Sequence, residues 1–426
     1  MELWIILMLG IFVVTLILAL TEKFDKAEIT ILGAIATYIN LSVFTGSTLE
    51  DVLSFIEWPT IIIMFSVLVT GLLINEAGLF QWIAIKLVKL TEGDFRKIFF
   101  SLIMLTILLS SVVTILVAAI IIGRLTISIA DALDVDPYPY LISEAVAVGI
   151  GGATSLVASP NAILISDFAN LDFVFFMVYT FPFSIMVGLI TSLVLIKIIG
   201  NLGEVSELRK TVLMEFEEWS VVPDIKLFYL SAVMLVAMII GFILFPAYIV
   251  ALFIAIIYLL IRRKPLNEIA EELEWGDLFF FIGIFIIVGG VEHTEILQEI
   301  GSALGTISAG NPLIPIILIM WITGLSSGFL DGVTIVLTFM PIIDELVKSA
   351  GFSELFPLFM IVLVLSTNFG GSMTPIGTPA SLLIVSLASS KGVHISFKNF
   401  IKLGSIIVFM NLAIATVYVV ALSFIF

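Results

Sequence analysis

The stretch GIGGATSLVASPNAILI at residues 149–165 returns in altered form as NFGGSMTPIGTPASLLI at residues 368–384. Both are apolar runs interrupted midway by Gly, Ser, Thr and Pro, and they lie 219 positions apart. Glycine permits close approach and unusual dihedrals, and Pro ends a helix, so each run predicts a helix broken in its middle. The flanks repeat as well. Glu57-Trp58 matches Glu274-Trp275, Gly78–Gln81 matches Glu295–Gln298, VVT ending at Thr114 matches GVT ending at Thr334, and Pro139 matches Pro357, all at offsets of 217 to 220. The sequence therefore reads as two copies of one unit.

Composition says what the unit is made for. Of 426 residues, 61% are hydrophobic and 12% charged, with mean hydropathy +1.26. A soluble domain lies nearer half apolar and a quarter charged, so this chain reads as a polytopic membrane protein. Its net charge of −16 argues against nucleic acid, which needs clustered Lys and Arg. Cysteine is absent, and His293 and His394 are the only histidines. With no HExxH and no GK[ST] loop in the sequence, neither a thiolate site, a zinc site nor an ATPase engine is expected, and no cofactor is implied.

A crossing takes about 20 helical residues. Such runs lie near 3–20, 28–46, 59–75, 139–165 and 173–199, and again near 226–243, 245–261, 277–291, 355–385 and 400–425. The first run lacks a basic leader and a small-residue cleavage site, so it is read as a helix and not a signal peptide. Two more apolar stretches, 98–123 and 312–343, carry polar residues in their middles and are read as re-entrant hairpins. With the N-terminus outside, this topology puts every Lys and Arg except Lys348 in inside loops. Treating either hairpin as a single crossing would destroy that segregation. The expected fold is all-α and polytopic, with two inverted repeats of five transmembrane helices plus one hairpin each. Residues 1–200 form the first repeat, 201–225 a cytoplasmic linker, and 226–426 the second. Both termini then lie outside a multi-pass plasma-membrane protein. Inverted repeats with broken helices are the common build of secondary transporters, whose sites lie at the midplane.

A helix broken inside a bilayer leaves backbone groups without partners, tolerated only against protein or a watery cavity. Four such breaks supply the candidate lining: Ser110, Ser111 and Thr114; Thr154, Ser155, Ser159 and Asn161; Asp331 and Thr334; and Asn368, Ser372, Thr374 and Thr378. Half-helix N-termini bring partial positive charge toward an anion, and freed carbonyls suit a cation. Asp331 is a carboxylate deep in the apolar run, where a charge costs about 2.5–3.5 kcal/mol, so it is read as the coupling group. The alternative is a cap on the helix beginning at Gly332. Glu144 is read either as a proton relay or as an interfacial acid. Glu292, His293, Glu295 and His394 read as solvated. No site metal is expected.

At these motifs the chain resembles the ion-transporter superfamily. Nearest is the branch holding ArsB-type arsenite-efflux permeases, NhaD-type sodium/proton antiporters and the pigmentation P protein; the dicarboxylate/sodium symporters share its architecture. Carrying the resemblance are residues 57–90, 142–161, 274–297, 327–343 and 395–404. It implies a scaffold that includes 28–75 and 245–291, beside a transport domain holding both hairpins and both broken helices and moving like an elevator. It also implies frequent homodimers. Many members carry Asp-Asn at both hairpin tips; here Asp331-Gly332 keeps half of one pair and Ser111-Val112 replaces the other. One acid is easier to square with proton coupling than with two sodium sites.

The function read from the sequence is secondary active transport, without an enzymatic activity. The solute is a small inorganic or carboxylate anion, arsenite-like as first choice, with proton or sodium coupling. A sodium/proton antiporter is the alternative, and a passive channel is the alternative from another class.

Overall fold

Hydrocarbon offers backbone N–H and C=O groups no partner, so an apolar run of bilayer length forms helix. The computed structural model describes residues 2–20, 24–200, 215, 217–263, 265–273 and 275–426. Among the described residues it is helical with no strand, and nine helices are long and apolar enough to cross a membrane. Residues 201–214 and 216 of the expected linker lie outside the described residues.

The first half comprises α1 (Leu3–Leu20), α2 (Lys26–Phe44), α3 (Leu49–Leu53), α4 (Trp58–Glu76), α5 (Leu79–Lys89), α6 (Phe95–Val112) and α7 (Ile115–Leu133). It continues through α8 (Tyr138–Gly152), α9 (Pro160–Ala169), α10 (Phe173–Tyr179) and α11 (Phe181–Ile199). The second half comprises α12 (Ile225–Leu244), α13 (Ala247–Arg262), α14 (Leu266–Glu272), α15 (Trp275–Glu292), α16 (Ile296–Ile307) and α17 (Leu313–Ser327). It ends with α18 (Gly332–Ser349), α19 (Phe356–Gly370), α20 (Pro379–Ser390) and α21 (Phe397–Leu422). Both expected helix breaks are present, between α8 and α9 and between α19 and α20.

Boundaries differ where amphipathic turns extend an apolar core. The stretches expected as hairpins are the helix pairs α6–α7 over 95–133 and α17–α18 over 313–349. They are longer than the apolar stretches 98–123 and 312–343 because their second arms continue through polar turns bearing Arg124, Ser128 and Asp131 or Asp344, Glu345 and Lys348. α6 and α7 are each long enough to cross a membrane. The run 173–199 is two helices meeting at Thr180, whose hydroxyl donates to the carbonyls of Phe176 at 2.9 Å and Thr154 at 3.0 Å.

Burial sorts the helices. α12 exposes Tyr229, Val233, Val236, Ile240 and Ile243 along one apolar stripe, the surface a bilayer covers, whereas α8 and α19 are buried along nearly all their length. α2 packs along α15, and α4 along α13. A methyl at Gly283 would meet the backbone of Thr30 at 2.6 Å, and one at Gly290 would meet Thr37 at 2.6 Å. Positions 30 and 37 rise with 283 and 290, so α2 and α15 run in the same direction. α4 and α13 do too: the Tyr258 hydroxyl donates to the Leu73 carbonyl at 3.2 Å and Arg262 pairs with Glu76 at 2.7 Å.

The contacts between halves are reciprocal. α7 packs on α20 as α9 packs on α18, and within each half α6 packs on α8 as α17 packs on α19. Matching residues also touch each other. The Thr191 hydroxyl donates to Asn411, 220 positions later, at 3.0 Å. Gly149 lies against the carbonyl of Asn368, 219 positions later, where an added Cβ would stand 2.4 Å away.

Candidate functional site

Four helices, α7, α9, α18 and α20, begin around one cavity, and each start is fixed by the residue before it. Thr114 caps α7 by accepting from Val117 N–H, and Asp331 caps α18 by accepting from Val333 N–H at 2.9 Å. Ser159 caps α9 by accepting from Ala162 N–H at 3.3 Å, and Thr378 caps α20 by accepting from Ser381 N–H at 3.1 Å. Pro160 and Pro379 open their helices at the position where a missing N–H is no loss. The structure thereby re-registers one repeat match. As caps, the equivalents are Thr114 and Asp331, 217 apart, not Thr114 and Thr334. The acid stands where the other half has a threonine.

Hydroxyls then tie each hairpin tip to the neighbouring break. Ser155 donates to the Ser111 carbonyl at 2.7 Å, and its counterpart Thr374 donates to the Gly328 carbonyl at 2.5 Å. Ile115 N–H donates to the Ala158 carbonyl at 2.9 Å, and Ser327 donates to the Thr367 carbonyl at 2.7 Å. Among the candidate residues, Ser110 donates to the Thr106 carbonyl at 2.7 Å, Ser111 to Leu108 at 2.6 Å and Thr154 to Gly151 at 2.5 Å. These three hydroxyls bond back to carbonyls three or four residues earlier, so their protons are held by their own helix and its end. Ser372 is buried with its oxygen unpartnered.

Four other candidates come together around a cavity of about 30 Å³: Ser159, Asn161, Asn368 and Thr378 line it with Asp331. Its size matches a bound water or two, or a small ion. The Asn161 amide donates to Thr367 at 3.3 Å across the two halves. Gly332 makes that approach feasible, since a Cβ there would stand 2.4 Å from the Asn161 amide nitrogen. A second cavity of about 30 Å³ also has Asp331 in its wall, with Thr334, Thr15, Lys26 and Thr30. Asp331 is thus shared between the two cavities, and it is both a helix cap and a site-lining acid. The cap was one of the two roles open to Asp331 in the sequence, whereas the placing of Lys26 in the same cavity wall depends on how α2 packs.

Two charged lining residues, and the threonines Thr15, Thr30 and Thr367, were not among the candidates from sequence. Lys26 reads as an inside-loop cation but borders the Asp331 cavity at the start of α2. Asp277 of α15 lines the first cavity opposite the hairpin. Its signal was an acid on the third position of an otherwise apolar helix. Glu144 lies elsewhere: it is buried between α8 and α7, accepts from the Thr126 hydroxyl at 2.5 Å, and has one oxygen without a partner.

The described residues contain no group of three or more His, Asp or Glu side chains placed to hold a metal ion. What the arrangement can do chemically is present helix dipoles, amides and hydroxyls to a small solute beside carboxylates able to take up a cation or a proton.

Comparison with known proteins agrees with this architecture. Residues 16–358 match the family described as "Citrate transporter" (CitMHS). The chain is 26% identical over 422 residues to the 46 kDa membrane protein of Mycobacterium leprae, covering 97% of each chain. It is 25% identical over 413 residues to an uncharacterized transporter of Mycobacterium bovis, covering 96% of each. Its identity to the P protein of Sus scrofa is 22% over 471 residues, covering 91% of this chain and 56% of that one. The P protein is one of the relatives to which the sequence motifs pointed. With the family match spanning most of its length, the chain belongs to the citrate transporter family, a family of multi-pass membrane transporters within the ion-transporter superfamily.

Proposed function

We propose that this protein is a secondary active transporter that carries a small anion by alternating access, coupled to a proton or cation at Asp331. The observation that carries the reading is the meeting of four helix N-termini with Asp331 and Asp277 around one cavity between the halves. N-termini favour negative charge. Carboxylates beside them favour a co-transported cation or proton that neutralises the anion's charge.

An inverted pair of repeats supports the motion. Residues at matching positions touch at Thr191–Asn411 and Gly149–Asn368, as happens beside a two-fold axis. α15, the counterpart of α4, runs with α2, and consecutive crossings α2 and α4 run oppositely, so the second copy is upside down. Such copies exchange roles between two states. The two equivalent helix pairs here differ. α16 is pressed onto α18, where Gly301 meets the Ile342 carbonyl and Ser302 donates to Glu345 at 3.0 Å. Its counterpart α5 stands off α7 around a cavity of about 270 Å³. We read this as the state open toward the face bearing Lys86, Lys89, Arg96 and Lys97, which the charge bias makes cytoplasmic. The transport domain slides like an elevator against α2, α4, α13 and α15.

The family description makes a carboxylate such as citrate the first solute to test, ahead of arsenite. A sodium/proton antiporter is the second reading, favoured by the presence of Asp277 and Asp331 in one cavity wall with no arginine among its described residues. Purified protein in proteoliposomes, with imposed proton or sodium gradients, distinguishes them by flux of labelled citrate, arsenite and sodium. Saturable, gradient-driven citrate uptake supports the proposal. Gradient-independent, non-saturating flux would mean a channel, and sodium flux that is indifferent to any anion would establish the antiporter.

A further inference from the structure

The cavity of about 270 Å³ between α5 and α7 lies outside the Asp331 site and has its own chemistry. Most of its wall is apolar, from Ile85, Val88, Ile121, Leu125 and Leu133, and the polar groups are few: Asn75, Gln81, Arg124 and Ser128. That proportion, a greasy wall with a few convergent polar groups, is what small-molecule sites show. Gln81 donates to Asn75 at 2.7 Å, which leaves the buried Gln81 carbonyl oxygen without a partner. Arg124 forms no ion pair among the described residues. Among the described residues the cavity wall contains no acid, and two acids nearby are already occupied: Glu218 pairs with Lys89 at 2.9 Å and Glu76 with Arg262 at 2.7 Å.

Depth identifies the occupant. The outer face of α5 carries Lys86 stacked over the Trp82 ring at 4.4 Å, and Trp82 packs on Trp219 with ring centroids 5.4 Å apart. Tryptophan and lysine concentrate where a membrane protein meets the lipid headgroups. A guanidinium without an ion pair among the described residues, in the same wall as the apolar side chains beside α5, complements an acidic head attached to an acyl chain. Anionic lipids are bound in basic pockets between transmembrane helices on this side of membranes. The unpartnered Gln81 carbonyl adds a requirement that a fatty-acid carboxylate cannot meet, namely a donor on the head.

We propose that the α5–α7 cavity is a binding site for an anionic glycerophospholipid whose head carries hydroxyls, with Arg124 as counter-charge to the phosphodiester and Gln81 as acceptor for a head hydroxyl. The lipid fills the gap that separates α5 from α7 and stabilises the state in which they stand apart.

The test uses the full-length protein in neutral detergent with added phosphatidylglycerol, phosphatidylcholine or oleate. Bound lipid is counted by native mass spectrometry and the thermal midpoint is followed against lipid concentration. Phosphatidylglycerol is expected to remain bound and to raise the midpoint saturably, with phosphatidylcholine and oleate at least tenfold weaker. Arg124→Gln, at an exposed and unpaired side chain, is expected to keep the lipid-free midpoint and to raise the half-saturating concentration about tenfold. Ser128→Trp, which fills the cavity, is expected to abolish the response. Equal retention of phosphatidylglycerol by both variants, or equal binding of phosphatidylcholine, overturns the site. Oleate binding as tightly as phosphatidylglycerol overturns the glycerophospholipid assignment. None of these readouts depends on which solute is transported.

Discussion

Asp331 does two jobs that one pair of substitutions separates. Its carboxylate caps α18 through Val333 N–H at 2.9 Å, and it puts a charge into the walls of two cavities. Asparagine is as good an N-cap as aspartate, whereas alanine in its place costs about 1 kcal/mol, within a range of about 0.5–2. Asp331→Asn therefore keeps the cap and removes only the charge, and a partly buried charge is a desolvation burden that its removal relieves. Asp331→Ala removes both. The expected order of thermal midpoints is Asp331→Asn equal to or above wild type, with Asp331→Ala below both by the equivalent of about 1 kcal/mol. The expected order of gradient-driven flux in proteoliposomes is different: wild type active, both variants uncoupled. If Asp331→Asn transports with full gradient dependence, Asp331 is a cap alone and the coupling role is wrong. A midpoint for Asp331→Asn as low as that of the alanine variant would instead show that the fold needs the charge itself.

Further predictions concern the frame around the site. In Gly370→Ala the new Cβ would lie 1.9 Å from the Gly324 carbonyl oxygen, against backbone that no rotamer change can move, so folded yield in a fluorescence size-exclusion assay is expected to collapse. Thr374→Val keeps shape but leaves the Gly328 carbonyl without its donor, a loss of about 1–3 kcal/mol, while Thr374→Ser restores most of the thermal midpoint. Arg262→Gln breaks the pair with Glu76, whose two side chains are 15% and 25% exposed, and is expected to lower the midpoint by the equivalent of about 1–2 kcal/mol, a decrement that 1 M salt does not reproduce in the wild type.

The broken helices at 149–165 and 368–384 were legible because Gly and Pro in an apolar run act locally, whatever surrounds them. The interruptions at 110–114 and 326–334 were legible from small polar residues in the middle of an apolar run, and so were the candidate serines and threonines, as a set. What each hydroxyl does was not legible. Ser155 and Thr374 bond a carbonyl 44 and 46 residues away, and such a partner is chosen by packing, not by neighbours in sequence. Lys26 and Asp277 were passed over because one lies in a basic loop and the other near a helix start, where a charged side chain ordinarily meets water. Only the apposition of α2 and α15 with the tip of the second hairpin puts both beside Asp331. By itself the sequence determined a membrane-embedded, all-helical chain with two interrupted helices, since hydropathy and helix-breaking are properties of short segments. The tertiary structure decided which interruptions share a cavity and that Asp331 is the counterpart of Thr114. It also decided which helix pair closes and which stands open, because those depend on distances between residues that the chain separates by hundreds of positions.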